Sequence, residues 1–267
     1  MTPWFAWKLK QGLSNENRIK VTAVLAEKQK LYSSPKLEPL LTADGRPVSV
    51  LKADTFSLKE EVFRIRYEVY CKHLAYESSQ KNARGLETDL FDGWSKHYLV
   101  KDELTGRFVG TIRLVAPKCR ATQSIPIENV YPHDFFAPEL APSSFETGSY
   151  IEISRLAVVP EAATMISNGY SIEVARLLYL SALAHFHATP ALRHMHCLME
   201  KRLARRLSFM GLPFVQCGDF FEFKGQRAPY YLGKSGLKEN LRGDSKLIYD
   251  RLLAVEQGSY HLARKVA

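Results

Sequence analysis

The sequence lacks the features that define several large classes of protein. It contains four cysteines, Cys71, Cys119, Cys197 and Cys217, and no two of them form a C-x-x-C pair. Their wide spacing in a chain of 267 residues argues against a disulfide framework and predicts a reducing, cytoplasmic environment. No apolar run reaches about 18 residues, so we expect no transmembrane helix. The first residues also lack the long apolar stretch of a signal peptide.

Motifs of other chemistries are missing too. No zinc finger or RNA-binding motif is present, and the lysines and arginines are scattered, which makes nucleic acid the weakest candidate partner. Ser154 lies in "GSYIEISR", which is not a nucleophile-elbow motif and does not indicate a serine hydrolase. Two H-x-H pairs lack a fitting third ligand for a metal. We expect no metal or other cofactor, and we interpret the paired residues as surface or core histidines: His185, His187, His194 and His196.

The chain does have an excess of positive charge, with 37 lysines and arginines, 28 acidic residues and a formal net charge of +9. Such an excess attracts an acidic partner, either an anionic membrane or an acidic protein. The first ten residues combine Trp4, Phe5 and Trp7 with Lys8 and Lys10. This pattern predicts either packing on the protein body or a peripheral contact with a membrane surface.

The predicted elements form one mixed α/β domain. A strand at 48–55 precedes a helix at 57–74, for which Ser57 is the expected N-cap. A hairpin of two strands, a strand beginning at Tyr150, a helix at 169–188, a further strand and helix, two strands and a final helix follow. We divide the chain into an N-terminal extension, 1–46, and one domain, 47–267. The domain contains a long proline-containing insertion, 118–149, and ends in a C-terminal helix.

Charged residues occur where a core would not accept them. The segment "YIEISRLAVVP" reads as a buried strand, yet it contains Glu152 and Arg155. Arginines and acidic residues also occur in "FRIRYEVY", "GLETDLFD" and "GTIRL". An unpaired buried charge costs several kcal/mol, roughly, so these groups must pair or face a cavity. They form either an ion-pair network that pins loop 77–92 onto the sheet or a polar cleft for a small charged substrate. Burial would raise the pKa of Glu152 toward neutrality, as suits a general base.

Four ordered motifs then resemble one family. "FRIRYEVYCKHLAYE", "GLETDLFD", "HYLVKDELTGRFVGTIRLV" and "YIEISRLAV" are similar to acyl-homoserine-lactone (autoinducer) synthases and their relatives in the GNAT superfamily of acyltransferases. The resemblance covers roughly residues 48–232. It implies an α/β (α+β) GNAT-like fold, with a mixed central sheet flanked by helices.

The resemblance also implies roles for individual residues. Those on the family's signature positions are Glu152, Arg155 and Asp89 as catalytic residues, and Arg66, Tyr70, Tyr76, Asp92 and Arg113 as substrate-binding residues. The family usually has phenylalanine at position 70 and tryptophan at position 76, so the departures put a homoserine-lactone product in doubt. The long insertion, the extension and "GQRAPYYL" resemble N-acyl amino acid synthases, including acyltransferases associated with PEP-CTERM/exosortase systems.

The implied reaction moves a fatty acyl group, expected to be long, from the thioester of acyl carrier protein to the α-amine of an amino acid. Glu152 removes the proton, and backbone N–H groups of a splayed strand stabilise the oxyanion. Acyl carrier protein is acidic, so a basic span is its expected docking site: Arg193, Lys201, Arg202, Arg205 and Arg206. The alternatives are an acyl-homoserine-lactone synthase that uses S-adenosylmethionine and a non-catalytic module that binds acylated carrier protein.

Overall fold

The structure is a computed structural model that describes residues 39–43, 45–132, 136–160, 168–235 and 237–266. The predicted membrane contact of residues 1–10 and most of the predicted extension lie outside the described residues. No helix within the described ranges is both long and apolar enough to cross a membrane.

One twisted sheet organises the described chain. Its strands follow the order β1-β2-β3-β4-β5-β6-β9-β7, with β8 paired to β9, and among the described pairs β5 and β6 alone are parallel. The strands are β1 (Leu40–Leu41), β2 (Pro47–Lys52), β3 (Ser95–Asp102), β4 (Phe108–Val115), β5 (Tyr150–Val158), β6 (His194–Met199), β7 (Val215–Gln216), β8 (Phe221–Glu222) and β9 (Gln226–Gly233).

Helices cover both faces of the sheet. They are α1 (Phe56–Arg66), α2 (Pro126–Val130), α3 (Asn168–Ala188), α4 (Lys201–Phe209), α5 (Leu237–Asn240) and α6 (Ser245–Val266). Helices α3 and α6 pack on the face that presents Ile112 and Ile153, where the main core lies. Helix α1 packs on the opposite face with Leu99 and Ala157, and the insertion covers the same face further along β5. Since side chains alternate along a strand, the charged residues between these apolar ones point to the α1 face.

The segment after α1 differs from the predicted single helix. The α-helix begins with Thr55 as its N-cap, whose hydroxyl accepts from the Leu58 N–H at 3.3 Å, so the prediction of Ser57 was wrong. The chain then widens into a π-helix, Tyr67–His73, in which the Leu74 N–H donates to the Val69 carbonyl. From this wider turn the Tyr70 hydroxyl donates to the Leu156 carbonyl of β5.

The structure confirms the predicted α/β class and most of the predicted strands, with two differences. Strand β1 pairs with β2 through Leu40 and Val48, so the sheet begins inside the predicted extension and the boundary at residue 46 was placed too late. The C-terminal region contributes three strands, the two-residue β7 and β8 and the eight-residue β9, where two were predicted. The insertion forms α2 and two 3₁₀ turns, Pro138–Leu140 and Pro142–Ser144.

Candidate active site

A network of arginines and carboxylates fills the space between α1, the loop before β3 and the sheet. Arg66, in the last turn of α1, is fully buried. Its Nε donates to Glu87, and its Nη1 donates to Asp92 Oδ1 at 2.6 Å. Arg113, on β4, is also buried and donates through Nη1 to Asp89 at 2.5 Å and to Asp92 at 3.0 Å. Two buried cations therefore lie between three carboxylates, the arrangement that makes buried charge tolerable.

Local backbone structure holds the two aspartates in place. A short 3₁₀ helix, Leu90–Trp94, begins after Asp89, whose side chain accepts from the Phe91 N–H at 3.0 Å. In the other direction along the chain, the Asp92 carboxylate accepts a hydrogen bond from the Asp89 N–H at 2.8 Å. This reciprocal capping uses orphan N–H groups of the turn and fixes both carboxylates toward the arginines.

Arg155 joins the network from a bulge in β5. The register against β4 shifts between Thr111 and Arg113, and Arg155 has a positive φ of 51°. Such a conformation is unfavourable for a side chain other than glycine and indicates a locally constrained backbone. Tyr70 supports the bulge, because its hydroxyl donates to the Leu156 carbonyl at 2.6 Å while the Arg155 guanidinium lies 5.5 Å from its ring centre.

The Arg155 guanidinium gathers three carboxylates. Its Nη2 lies 3.0 Å from Glu77, 3.1 Å from Glu87 and 3.3 Å from Asp89. Glu77 also pairs with Lys224, from the turn between β8 and β9. Asp89, Glu77 and Arg155 are partly exposed, whereas Glu87 is buried. The network thus has a closed interior and an accessible side.

The interior of the network favours charged carboxylates and a neutral histidine. Burial opposes ionisation of Asp92, but Arg66 and Arg113 outweigh it and lower the pKa of the carboxyl to about 2. His97 lies 3.6 Å from Asp92 with both ring nitrogens buried and without hydrogen-bond partners among the described residues. Burial lowers its pKa to about 3. The histidine therefore stays neutral while the aspartate stays ionised.

Glu152 has the opposite environment on the same face of the sheet. It lies on β5 opposite Val115, is 2% exposed, and accepts one hydrogen bond from the Ile127 N–H of α2 at 2.7 Å. Burial raises the pKa of its carboxyl to about 8, against the opposing effects of that N–H and of Arg113. A carboxyl with a pKa near the working pH can both take up and release a proton, as general acid–base chemistry requires.

The insertion places an apolar cover over Glu152. Its buried side chains pack with residues of β4 and β5 in a second apolar cluster, whose members include Ile125, Ile127, Tyr131, Phe136, Ala141, Val115 and Tyr150. Arg120 ties the ends of the insertion together by donating to the Phe145 carbonyl at 2.6 Å and the Pro142 carbonyl at 3.1 Å. This cluster supplies an apolar surface beside the buried carboxyl.

Strands β5 and β6 separate next to Glu152. Their parallel ladder runs from Tyr150 paired with His194 to Ile153 paired with Cys197. Beyond that point, β5 pairs only with β4 and β6 only with β9 in the described registers. The backbone groups of β5 from Ser154 onward therefore have no strand partner on that side, and a bound chain could use their N–H and C=O groups.

Comparison with known proteins identifies the fold. Residues 65–165 match the family described as Acetyltransferase (GNAT) domain. An acyl-homoserine-lactone synthase of Vibrio anguillarum is 27% identical over 173 residues, which cover 64% of this chain and 80% of that protein. The chain is similar to GNAT acyltransferases, and among them to the autoinducer synthases.

Solved structures of similar proteins have the same fold. TofI, in a ternary complex with an inhibitor and MTA, has a TM-score of 0.54 at 17% identity and covers 78% of this chain and 98% of its own. The AHL synthase LasI has a TM-score of 0.54 at 15% identity, with 74% and 98% covered. BjaI, a CoA-dependent acyl-homoserine lactone synthase with SAM and isopentyl-CoA, has a TM-score of 0.54 at 18% identity, with 78% and 90% covered. At these identities the likeness concerns the fold alone.

The structure brings most of the predicted site residues together. Arg66, Arg113, Arg155, Asp89 and Asp92 form a network of ion pairs that joins loop 77–92 to the sheet. The ring of Tyr76 lies at the accessible side, where the Lys224 Nζ is 6.0 Å from its centre. The roles of all these residues toward a substrate stay predictions.

Four residues of the site were absent from the predicted set. Glu87 stood in a recognised motif but was not assigned a role, and it is the most buried carboxylate of the network. Glu77 lies in a polar loop and Lys224 in a distant turn, so no spacing in the sequence connects them. His97 lies on β3 directly opposite Arg113 of β4. A histidine on the same face of the sheet as Arg113 was the signal in the sequence that could have placed it in the site.

The predicted basic span divides into two parts. Ala204 and Leu207 anchor α4, while its charged side chains are exposed, and a surface pocket is lined by Arg202, Arg205, Arg206 and Phe209. Arg193 precedes β6 and Lys201 follows it. Six strand residues separate them by about 20 Å. Arg193 therefore does not belong to the α4 surface, which adjoins the end of β6 where the strands separate.

The four paired histidines each have protein contacts. His185 Nδ1 lies 2.9 Å from Glu256, His194 Nδ1 lies 2.9 Å from the Tyr231 hydroxyl, and His196 Nε2 donates to the Leu140 carbonyl at 2.9 Å. His187 contacts the Tyr249 hydroxyl. Within the described residues, no group of three or more potential ligands could hold a metal ion. All four cysteines are free.

Proposed function

We propose that this acyltransferase moves a fatty acyl group from the phosphopantetheine thioester of acyl carrier protein to the α-amine of an amino acid. The observation that supports it is the position of Glu152, a buried carboxyl with a raised pKa, one residue before the last β5–β6 pair. A thioester arm that lies between the separating strands brings its carbonyl beside this carboxyl. The accessible side of the charged network then receives the amine.

The chemistry needs one proton acceptor and one anion stabiliser. The neutral amine attacks the thioester carbonyl, the N–C bond forms, and Glu152 accepts the amine's proton directly or through water. The oxyanion receives hydrogen bonds from unpaired N–H groups of β5, and collapse breaks the C–S bond. The departing sulfur takes the proton back from Glu152, directly or through water, so the thiol is released and the carboxylate is restored. Holding both reactants in one cleft supplies much of the rate.

The acidic carrier protein docks on α4 in this proposal. The helix begins directly after β6, at the end where β5 and β6 separate, so a carrier bound there can insert its arm between the strands. Its exposed arginines Arg202, Arg205 and Arg206 attract acidic groups. The apolar cluster under the insertion accommodates the acyl chain, which we expect to be long.

Charge reversal tests the docking surface. Arg202→Glu with Arg205→Glu and Arg206→Glu should raise KM for acyl carrier protein roughly tenfold, since exposed charge pairs contribute up to about 1 kcal/mol each. The KM for the same acyl group on free pantetheine serves as the control and should not change. An unchanged KM for the carrier-linked donor would show that the carrier binds elsewhere.

The similarity to an acyl-homoserine-lactone synthase of 27% identity favours a second candidate, in which the acceptor is S-adenosylmethionine and the product is a lactone. Incubation of the protein with long-chain acyl carrier protein and either the twenty amino acids or S-adenosylmethionine, followed by mass spectrometry, separates the two. N-acyl amino acids support our proposal, and an acyl-homoserine lactone supports the second candidate. Binding of the acylated carrier without any product indicates the non-catalytic module.

A further inference from the structure

Two cations from the β8–β9 hairpin lie at the accessible side of the site. The Lys224 Nζ is 6.0 Å and the Arg227 guanidinium 5.9 Å from the centre of the Tyr76 ring. Lys224 also pairs with Glu77, which contacts Arg155. The hairpin therefore belongs to the same site as the charged network, although about 150 residues separate Lys224 from Glu77 along the chain.

Arg227 stands at the opening between β5 and β6. Its neighbour Ala228 pairs with Met199, the last residue of β6, beyond the point where β5 has left that strand. Burial raises the pKa of Tyr70 and of the Cys197 thiol to about 12, and the charge of Arg227 acts against this in both. Tyr70 lies on the π-helix and Cys197 on β6, so the positive charge of Arg227 acts on groups at both borders of the opening.

Arg227 differs from the buried arginines of the site in being partly exposed, with 23% of its side chain accessible, whereas Arg66 is 0% and Arg113 is 1% exposed. Arg66 and Arg113 are enclosed by carboxylates, and Arg155 already contacts three of them. Arg227 donates through Nη2 to the Lys224 carbonyl at 3.3 Å and lies 3.5 Å from the exposed Glu200. Its buried Nε has no partner among the described residues. Arg66 Nη2 and Arg113 Nη2 also lack a hydrogen-bond partner among the described residues, but of these three guanidinium groups the partly exposed one of Arg227 is the one that an anion can reach.

We propose that Arg227, assisted by Lys224, binds the α-carboxylate of the amino acid acceptor; this inference rests on the proposed function. A guanidinium presents parallel N–H groups that match the two oxygens of a carboxylate, and an ammonium adds a point charge. An acceptor held in this way directs its amine toward Glu152 and the partly exposed Asp89. The reaction then selects free amino acids over amines without a carboxylate.

The test compares an accepted amino acid with its carboxamide, in the wild type and in Arg227→Met. The variant should lower kcat/KM for the free acid roughly 10–100-fold, as expected for losing hydrogen bonds to a charged group. It should leave kcat/KM for the carboxamide and KM for the acyl carrier protein nearly unchanged. Arg227→Lys keeps the charge and should recover part of the preference for the acid. Arg107→Met, at an exposed arginine in the β3–β4 turn, is the matched control.

The outcomes separate this inference from the proposed function. Equal losses for acid and carboxamide, or an unchanged preference, would overturn the role of Arg227 while acyl transfer itself stands. A raised KM for the donor alone would show that Arg227 binds the phosphate of the pantetheine arm instead, which also overturns it. Absence of transfer to every α-amino acid by the wild type would overturn both. Thermal unfolding of each variant shows whether a loss of activity reflects loss of fold. If Arg227→Met does not fold, the preference of Arg227→Lys for the acid over the carboxamide decides the question.

Discussion

Two carboxyl groups on one face of the sheet have pKa values that their surroundings shift in opposite directions. Asp92 lies between two arginines, which hold its pKa at about 2 despite burial. Glu152 lies among apolar side chains with one backbone N–H, and its pKa rises to about 8. Burial acts in the same direction at both positions, so the difference comes from the paired cations. Where neighbouring carboxyls have widely separated pKa values, their roles in acid–base chemistry separate too.

The comparison assigns different tasks to the two regions. The charged network is already neutralised by its own members, so it holds the π-helix, loop 77–92 and the β5 bulge in one arrangement. Glu152 has no ion-pair partner within the described residues and can exchange a proton with little rearrangement. In our proposal the network is structural and Glu152 is the reactive carboxyl, and each region can be tested separately.

The largest expected effect is on turnover in Glu152→Gln. Loss of a general base lowers kcat about 10²–10⁴-fold, and the amide can still accept from the Ile127 N–H, so the fold should persist. Because the base works only when ionised, wild-type kcat should rise with pH through about 8, and this limb should disappear in the variant. Steady-state kinetics at several pH values provide the measurement.

Glu139→Gln is the control for this substitution, because Glu139 is exposed in the same insertion. It should retain wild-type kcat and pH dependence. If Glu152→Gln keeps nearly normal kcat while Asp89→Asn loses activity without unfolding, the roles of the two regions are reversed.

The next largest effect concerns stability in Arg66→Met. Removing this guanidinium leaves Glu87 and Asp92 as buried charges with fewer partners, which should cost about 3–5 kcal/mol of unfolding free energy. Arg64→Met in the same helix is the control, because Arg64 is 60% exposed and its pair with Glu61 is at the surface. Urea unfolding measures both. A loss below about 1 kcal/mol in Arg66→Met would mean that the network does not stabilise this region.

The sequence predicted the residues of the network better than their arrangement. Arg113 and Glu152 were identifiable because a charge inside an apolar alternating strand must pair or react. The π-helix was harder to predict from the sequence. Its signal was that the apolar residues Val69 and Leu74 are five positions apart, which is the period of an i→i+5 turn. Lys224 and Arg227 could not be assigned, because their proximity to Tyr76 depends on how β9 pairs with β6.

A smaller effect distinguishes the two carboxyls by the pH dependence of stability. The folded-state pKa of Glu152 lies above its usual 4.5, so its contribution favours folding below about pH 4.5 and is lost as pH rises through about 8. Asp92 behaves oppositely, and its contribution is lost only as pH falls through about 2. Glu152→Gln should therefore gain about 2 kcal/mol of unfolding free energy relative to wild type between pH 6 and pH 9. Equal differences at both pH values would show that Glu152 titrates normally.

The smallest expected effect is in Tyr70→Phe, at the contact that joins the π-helix to the bulge. The substitution removes the hydrogen bond to the Leu156 carbonyl and keeps the ring against the Arg155 guanidinium. A neutral hydrogen bond contributes about 1 kcal/mol, so unfolding free energy should fall by that amount. The ion pairs of Arg155 with Glu77, Glu87 and Asp89 do not involve the hydroxyl, so kcat should change less than about tenfold. Tyr67→Phe, on the same helix, is the matched control for stability and kinetics. A loss of kcat as large as that of Glu152→Gln would mean that the bulge depends on this one hydroxyl more than on the charged network, and the division between a supporting region and a single reactive carboxyl would be wrong.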